Sequence, residues 1–132
     1  MRPEGRRSIL AMGLAGLALA GCSSSTGPSA GQAQFVVDVA GERFVLALGD
    51  PETISQARAN LEGRNNRFPI GPLRRGHGGF NQPWSWHLDP AETRMTEAAI
   101  EVCDGRPSYV EEHLSDFPTY CPWGAKIVSE LR

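Results

Sequence analysis

Between Pro83 and Pro90 the chain reads Trp84-Ser85-Trp86-His87-Leu88-Asp89, which sets two of its three tryptophans within three positions. Proline offers no backbone N–H, so each proline interrupts a helix or a sheet ladder, and the segment between them is short. Alternation puts Trp84, Trp86 and Leu88 on one face and Ser85 and His87 on the other. Each buried aromatic covers about 150–250 Å², so a strand with two indoles on one face needs a second layer over it. The segment therefore predicts a strand against the core with His87 facing away. Its sequel is Glu101-Val102-Cys103-Asp104-Gly105-Arg106-Pro107, and the third tryptophan, Trp123, follows Cys121-Pro122.

The chain has 132 residues, enough for one small domain. Its beginning reads as something else. Arg2, Arg6 and Arg7 precede an apolar run from Ile9 to Ala20, closed by Gly21-Cys22. A basic start, about a dozen apolar residues and a small-residue end predict a secretory signal over residues 1–21. The run falls short of the roughly twenty apolar residues a membrane span needs. Leu19-Ala20-Gly21-Cys22 resembles the lipobox of bacterial lipoproteins. That resemblance implies cleavage before Cys22, acylation of Cys22, export, and lipid anchoring to the cell membrane or the outer membrane. Two or more acyl chains hold a protein stably where one is marginal. Arg6-Arg7 fits a twin-arginine export signal as well as a plain basic start.

Without the three Arg and one Glu of the leader, ten basic and fourteen acidic residues remain, a net charge of −4. That balance speaks against nucleic acid and against electrostatic adhesion to anionic lipid. The membrane contact expected is the lipid anchor itself. Three cysteines are an odd number for an exported protein. With Cys22 lipidated, Cys103 and Cys121 remain, and outside the cytoplasm they are expected to pair; two buried thiols are the alternative.

Residues 22–33 read as lipidated cysteine and flexible linker, since Ser23 to Gln32 holds little but Ser, Gly, Thr, Pro, Ala and Gln. Residues 34–132 read as one globular domain. Phe35, Val37 and Val39, then Phe44, Leu46 and Leu48, alternate around Gly41-Glu42 and predict a β-hairpin. Asp50-Pro51 opens a helix carrying Ile54, Ala57 and Leu61 on one side, with Gly63 as its stop. Phe68-Pro69-Ile70 suggests a short strand, and Gly71 to Asn81 a solvated loop. Asp89-Pro90-Ala91-Glu92 predicts a short helical turn, and Glu97 to Cys103 a strand with Ala98, Ile100 and Val102 on one face. Ser108-Tyr109-Val110-Glu111 matches a capping box for a helix of about two turns. Thr119 to Gly124 predicts a turn, and Ala125 to Leu131 a last strand or helical turn, with Ile127-Val128 favouring strand.

This order predicts an α+β domain of two layers, a mostly antiparallel sheet with two helices on one face. A ferredoxin-like βαββαβ order with an added strand is one version. The carrying residues Asp50-Pro51, Ala57-Arg58, Leu61, Asn81, Pro83 to Pro90, Glu101 to Ser108, Val110-Glu111 and Cys121-Pro122-Trp123 make the body similar to the BP-seventy-four N-terminal domain family. That resemblance spans roughly residues 44–128 and implies a single domain of unknown function, with no activity or site to carry over.

Trp84, Trp86, His87 and Asp104 are the candidate ligand-binding residues, with core packing as the competing role for the tryptophans. His87 with Asp89, Glu101 and Asp104 supplies the types needed for acid–base or metal chemistry, provided His77 or His113 converges on them. No serine elbow or His-x-x-x-His spacing accompanies them, and no cofactor is implied. The expectation is a monomeric, lipid-anchored binding module of the cell envelope for an unknown protein or small molecule. The alternative is a small envelope hydrolase or metal-dependent enzyme using His87 and nearby carboxylates.

Overall fold

The computed structural model describes residues 30–100 and 102–132. The leader, Cys22 and most of the expected linker lie outside the described residues, as does Glu101.

The chain opens with the predicted hairpin, β1 (Ala33–Val39) and β2 (Glu42–Leu48). Phe35 stands opposite Leu46 and Val37 opposite Phe44, and all four are buried. The turn is Ala40-Gly41, one residue earlier than expected. Both its residues have positive φ, +52° and +88°, the geometry that matches strand twist in a two-residue hairpin. The Asp38 carboxylate accepts the Gly41 amide at 3.0 Å and so supports a left-handed Ala40.

Helix α1 (Pro51–Leu61) is built as read. The Asp50 carboxylate accepts from the Thr53 amide at 2.9 Å and the Thr53 hydroxyl at 2.7 Å. Those bonds hold the Asp50 pKa below its ordinary value. At the other end the Gly63 amide donates to Asn60 O and the Arg64 amide to Ala59 O, a Schellman stop with Gly63 at φ +75°. Asn60 then ties three segments together. Its Nδ2 donates to Arg67 O at 2.9 Å and to Asn65, while its Oδ1 accepts the Ile127 amide at 3.0 Å.

Strand β3 (Phe68–Arg75) runs well past the three residues expected. It has three antiparallel partners in succession: β5 (Arg94–Thr96) at Phe68–Ile70, β6 (Thr119–Tyr120) at Gly71-Pro72, and β4 (Trp86–Leu88) at Leu73–Arg75. Its glycine and prolines gave the sequence a loop-like look, because partner switching along one strand leaves no uniform periodicity. Helix α2 (Pro107–Glu112), a single turn of 3-10 helix and the terminal strand β7 (Lys126–Leu131) complete the chain.

The strands form two small sheets, β2-β1-β7 and β4-β3-β5 with β6 on β3. The α+β class with antiparallel pairing and two helices stands. The division into two sheets means that the single-sheet ferredoxin-like order is not the one adopted. Phe44 joins the sheets, lying 5.3 Å from Trp86 and 5.8 Å from Tyr120 between ring centroids. Leu46, Leu48, Leu88 and Val110 close around them.

Four local readings change. The described residues of the expected Glu97–Cys103 strand are not in one: the Thr96 hydroxyl donates to Ala98 O, and Ile100 and Val102 are fully exposed. Three alternating apolar residues mimic a strand, but the partner positions on β3 are already taken by Arg94–Thr96. Asp89 to Thr93 makes the short turn expected, closed by the Thr93 amide on Asp89 O at 3.0 Å, whereas Thr119-Tyr120, read as part of a turn, pairs with β3 as β6. Ser108 sits inside α2, not at its cap. Its amide and hydroxyl donate to the Glu42 carboxylate at 2.8 and 3.0 Å, fastening the helix to β2, while Glu111 accepts from the Ser85 amide at 3.0 Å. Finally, Trp84 precedes β4 instead of belonging to it.

Candidate functional site

The residues singled out between Pro83 and Pro90 divide by burial. Trp86 has no exposed surface and packs edge-on against Tyr120, ring centroids 5.3 Å apart. Of the two roles open to it, ligand contact and core packing, Trp86 takes the core one that alternation predicts. Trp84 is half-buried, with its Nε1 donating to Arg43 O at 2.9 Å. Asn81, fully buried, completes the arrangement: its Nδ2 donates to Trp86 O and its Oδ1 accepts the Val45 amide, each at 2.7 Å. Asn81 and Trp84 thus occupy, in side-chain form, the place of a strand beside β2.

His87 faces away from the core as alternation requires. Its Nδ1 is 2.7 Å from Gly76 O and its ring meets Phe80 edge-on at 5.5 Å. Gly78, at φ +66°, lies so close to the imidazole that a Cβ there would come within 2.8 Å of it. Asp89 accepts from the Ala91 amide at 2.9 Å and pairs with Arg74 at 3.1 Å. Burial raises its pKa, but those bonds outweigh burial and leave it below the ordinary aspartate value. His77 Nδ1 accepts the Gly79 amide, and His113 stacks on Tyr109 with its Nδ1 2.8 Å from Tyr109 O. Each histidine is thus bonded to nearby backbone. Among the described residues no three His, Cys, Asp or Glu side chains converge as a metal site.

Asp104 leads to a different place. Its Oδ1 accepts the Trp123 amide and the Gly105 amide, both at 2.9 Å. Alongside, Cys103 and Cys121 stand as a disulfide pair, Cα atoms 5.1 Å apart, and the Cys121 amide donates to Cys103 O at 2.8 Å. The Ala125 amide closes a turn on Pro122 O. These bonds hold Trp123 at the apex of a fixed turn with 53% of its surface exposed. Two cavities open on it. One, about 450 Å³, runs along the start of β7 between Lys126, Val128 and the loop carrying Asn65 and Asn66. The other, about 320 Å³, is walled by Phe68, Ala98, Ala99 and Glu97. Trp123 is common to both.

The model of the BP-seventy-four N-terminal domain family matches residues 31–132. The chain belongs to that family. No curated protein and no solved structure matches it. Membership of the BP-seventy-four family therefore brings a fold boundary and no ready-made site, so the cleft rests on its own geometry. The match takes in β1 and β7, so the cleft lies wholly inside the family domain. Sequence reasoning placed Asp104 among the candidate ligand residues but not Trp123. The available signal was a lone tryptophan between Pro122 and Gly124, outside any periodic apolar pattern, where a turn exposes whatever it carries.

Proposed function

We propose that this protein is an exported lipoprotein, held through acylated Cys22 at the cell membrane or outer membrane. Its BP-seventy-four domain binds a protein or small-molecule ligand in the Trp123 cleft. The observation that carries the binding reading is the half-exposed indole shared by two cavities, fixed by Asp104 and the Cys103–Cys121 pair. An indole offers a large apolar area at small entropic cost, which is why tryptophan recurs at the centre of binding surfaces.

The direction of the strands supports the same reading. β1 begins at Ala33, where its neighbours are the C-terminal ends of β2 and β7, while Lys126 pairs with Asp38 at the far end. Seven residues at about 3.3 Å each put roughly 20 Å between the linker junction and the cleft end. A tethered domain so oriented presents the cleft away from its anchor.

The test is crosslinking in cells that make the full-length chain with a photoreactive residue at Val128, an exposed position in the cleft. The expected result is a discrete adduct in the envelope fraction that disappears with Trp123→Ala. Cys22→Ser should release the body into soluble fractions or leave the precursor uncleaved. An adduct indifferent to Trp123→Ala overturns the site, and a processed Cys22→Ser chain still bound to membrane overturns the anchor.

A further inference from the structure

The two cavities that share Trp123 differ in chemistry, and the difference specifies a ligand. The smaller is lined by Phe68, Ala98, Ala99 and the indole, and its one charged neighbour, Glu97, is paired with Arg67 at 3.2 Å. A cavity of about 150 Å³ already takes a benzene ring, so 320 Å³ gives ample room to one aliphatic or aromatic side chain. The larger cavity is mixed. Leu61, Ile127 and Val128 contribute apolar surface, Asn66 is exposed, and Gly63 and Gly124 leave open space where a side chain would stand. Its charge is Lys126, the only lysine in the chain. Among the described residues Lys126 makes no ion pair, and Asp38, its partner in the strand register, gives its carboxylate to Arg43 and the Gly41 amide.

The geometry points to an extended peptide as the ligand, one whose apolar side chain fills the Phe68–Ala98–Ala99 pocket and whose carboxylate meets Lys126. A C-terminal residue such as leucine has both groups on one carbon, and the larger cavity, which Asn66 and Gly124 line with Lys126, is left for its preceding amide. This rests on the binding reading above and narrows it. The charge match is local: the body carries a net −4 outside the leader, so an anionic ligand is drawn by Lys126 and not by the surface at large. A charge-assisted hydrogen bond to a carboxylate is about twice as strong as a neutral one, so the free acid must be preferred to its amide.

The experiment is calorimetric titration of the full-length chain in detergent with N-acetyl-alanyl-leucine as free acid and as amide. The acid should bind about tenfold more tightly, a difference of about 1.4 kcal/mol. Lys126→Gln should erase the preference, and Ala98→Trp, at an exposed position that blocks the small pocket, should abolish binding of both. Equal affinities, a preference that survives Lys126→Gln, or no binding of either peptide at millimolar concentration overturns the inference. So does binding of an oligomer of N-acetylglucosamine in place of the peptides, which would assign the indole to a sugar. A Trp123-dependent adduct in cells together with any of these outcomes would leave the binding reading standing and remove only this ligand class.

Discussion

Trp86 and Trp123 are the same side chain placed under opposite conditions. Trp86 lies between two sheets with no exposed surface, in contact with Phe44, Tyr120 and Trp84. Trp123 stands on a turn held by a carboxylate and a pair of cysteines, with half its surface in solvent. Around Trp86 the restraint is apolar packing, and the residue is part of what keeps the domain folded. Around Trp123 the restraint falls on the backbone, and the ring itself is left uncommitted. Half of its surface stays open, and that is the surface the proposed ligand would cover.

That contrast is open to measurement. The largest effect belongs to Trp86→Ala, which should cost about 3–5 kcal/mol in denaturant unfolding, as large-to-small core changes do. Trp123→Ala should cost no more than about 0.5 kcal/mol, in the range of exposed substitutions. Similar losses for the two would dissolve the distinction. Next comes the crosslink. Cys103 and Cys121 are separated by 18 positions, and replacing both with serine should cost about 3 kcal/mol by the loop-closure relation. Two free thiols per chain in unreduced material from the envelope would show that they are not bonded there.

A smaller effect is expected at Glu42. The Ser108 hydroxyl and amide bind its carboxylate and hold its pKa below the ordinary 4.5, with Arg106 adding to the pull. A carboxylate whose folded pKa is lowered adds stability above its unfolded value. That stability is lost as the pH falls through and below 4.5. Glu42→Gln should therefore flatten the acid side of the melting-temperature profile and leave its slope near neutrality unchanged. An unaltered acid limb would mean that the α2 attachment does not depend on this charge. Asp104→Ala should cost little stability, under about 1 kcal/mol, yet weaken crosslinking from Val128 by freeing the Trp123 turn. Stability and binding falling together would instead make Asp104 a fold residue.

The sequence made the local devices readable and hid the long-range ones. The hairpin, the Asp50 cap and the Gly63 stop each depend on residues within a few positions of one another, so periodicity and cap chemistry were sufficient. Trp86 and Leu88 followed from alternation, as did the outward His87. Asn81 was not readable, because its role is set by Val45, a partner 36 positions away. Ser108 looked like a cap and spends its hydrogen bonds on Glu42 instead. Ile100 and Val102 had the right spacing for a strand, but the β3 positions beside them are paired with Arg94–Thr96. The cleft escaped notice for the same reason: Phe68, Ala98 and the Trp123–Lys126 stretch are three segments that only the folded chain brings together.

The asparagines at the two margins of the β2-β1-β7 sheet bear on how the molecule behaves among its own kind. Asn81 takes the outward amide of Val45 and Trp84 the outward carbonyl of Arg43 on one side. On the other, Asn60 takes the amide of Ile127, beside a break in the β1–β7 register. A sheet with open margins is a template on which a neighbour's strand can grow, and it becomes more dangerous as molecules are packed closely. Here each margin has backbone groups already taken by side chains of the same molecule, so a neighbour's strand meets fewer open partners along it.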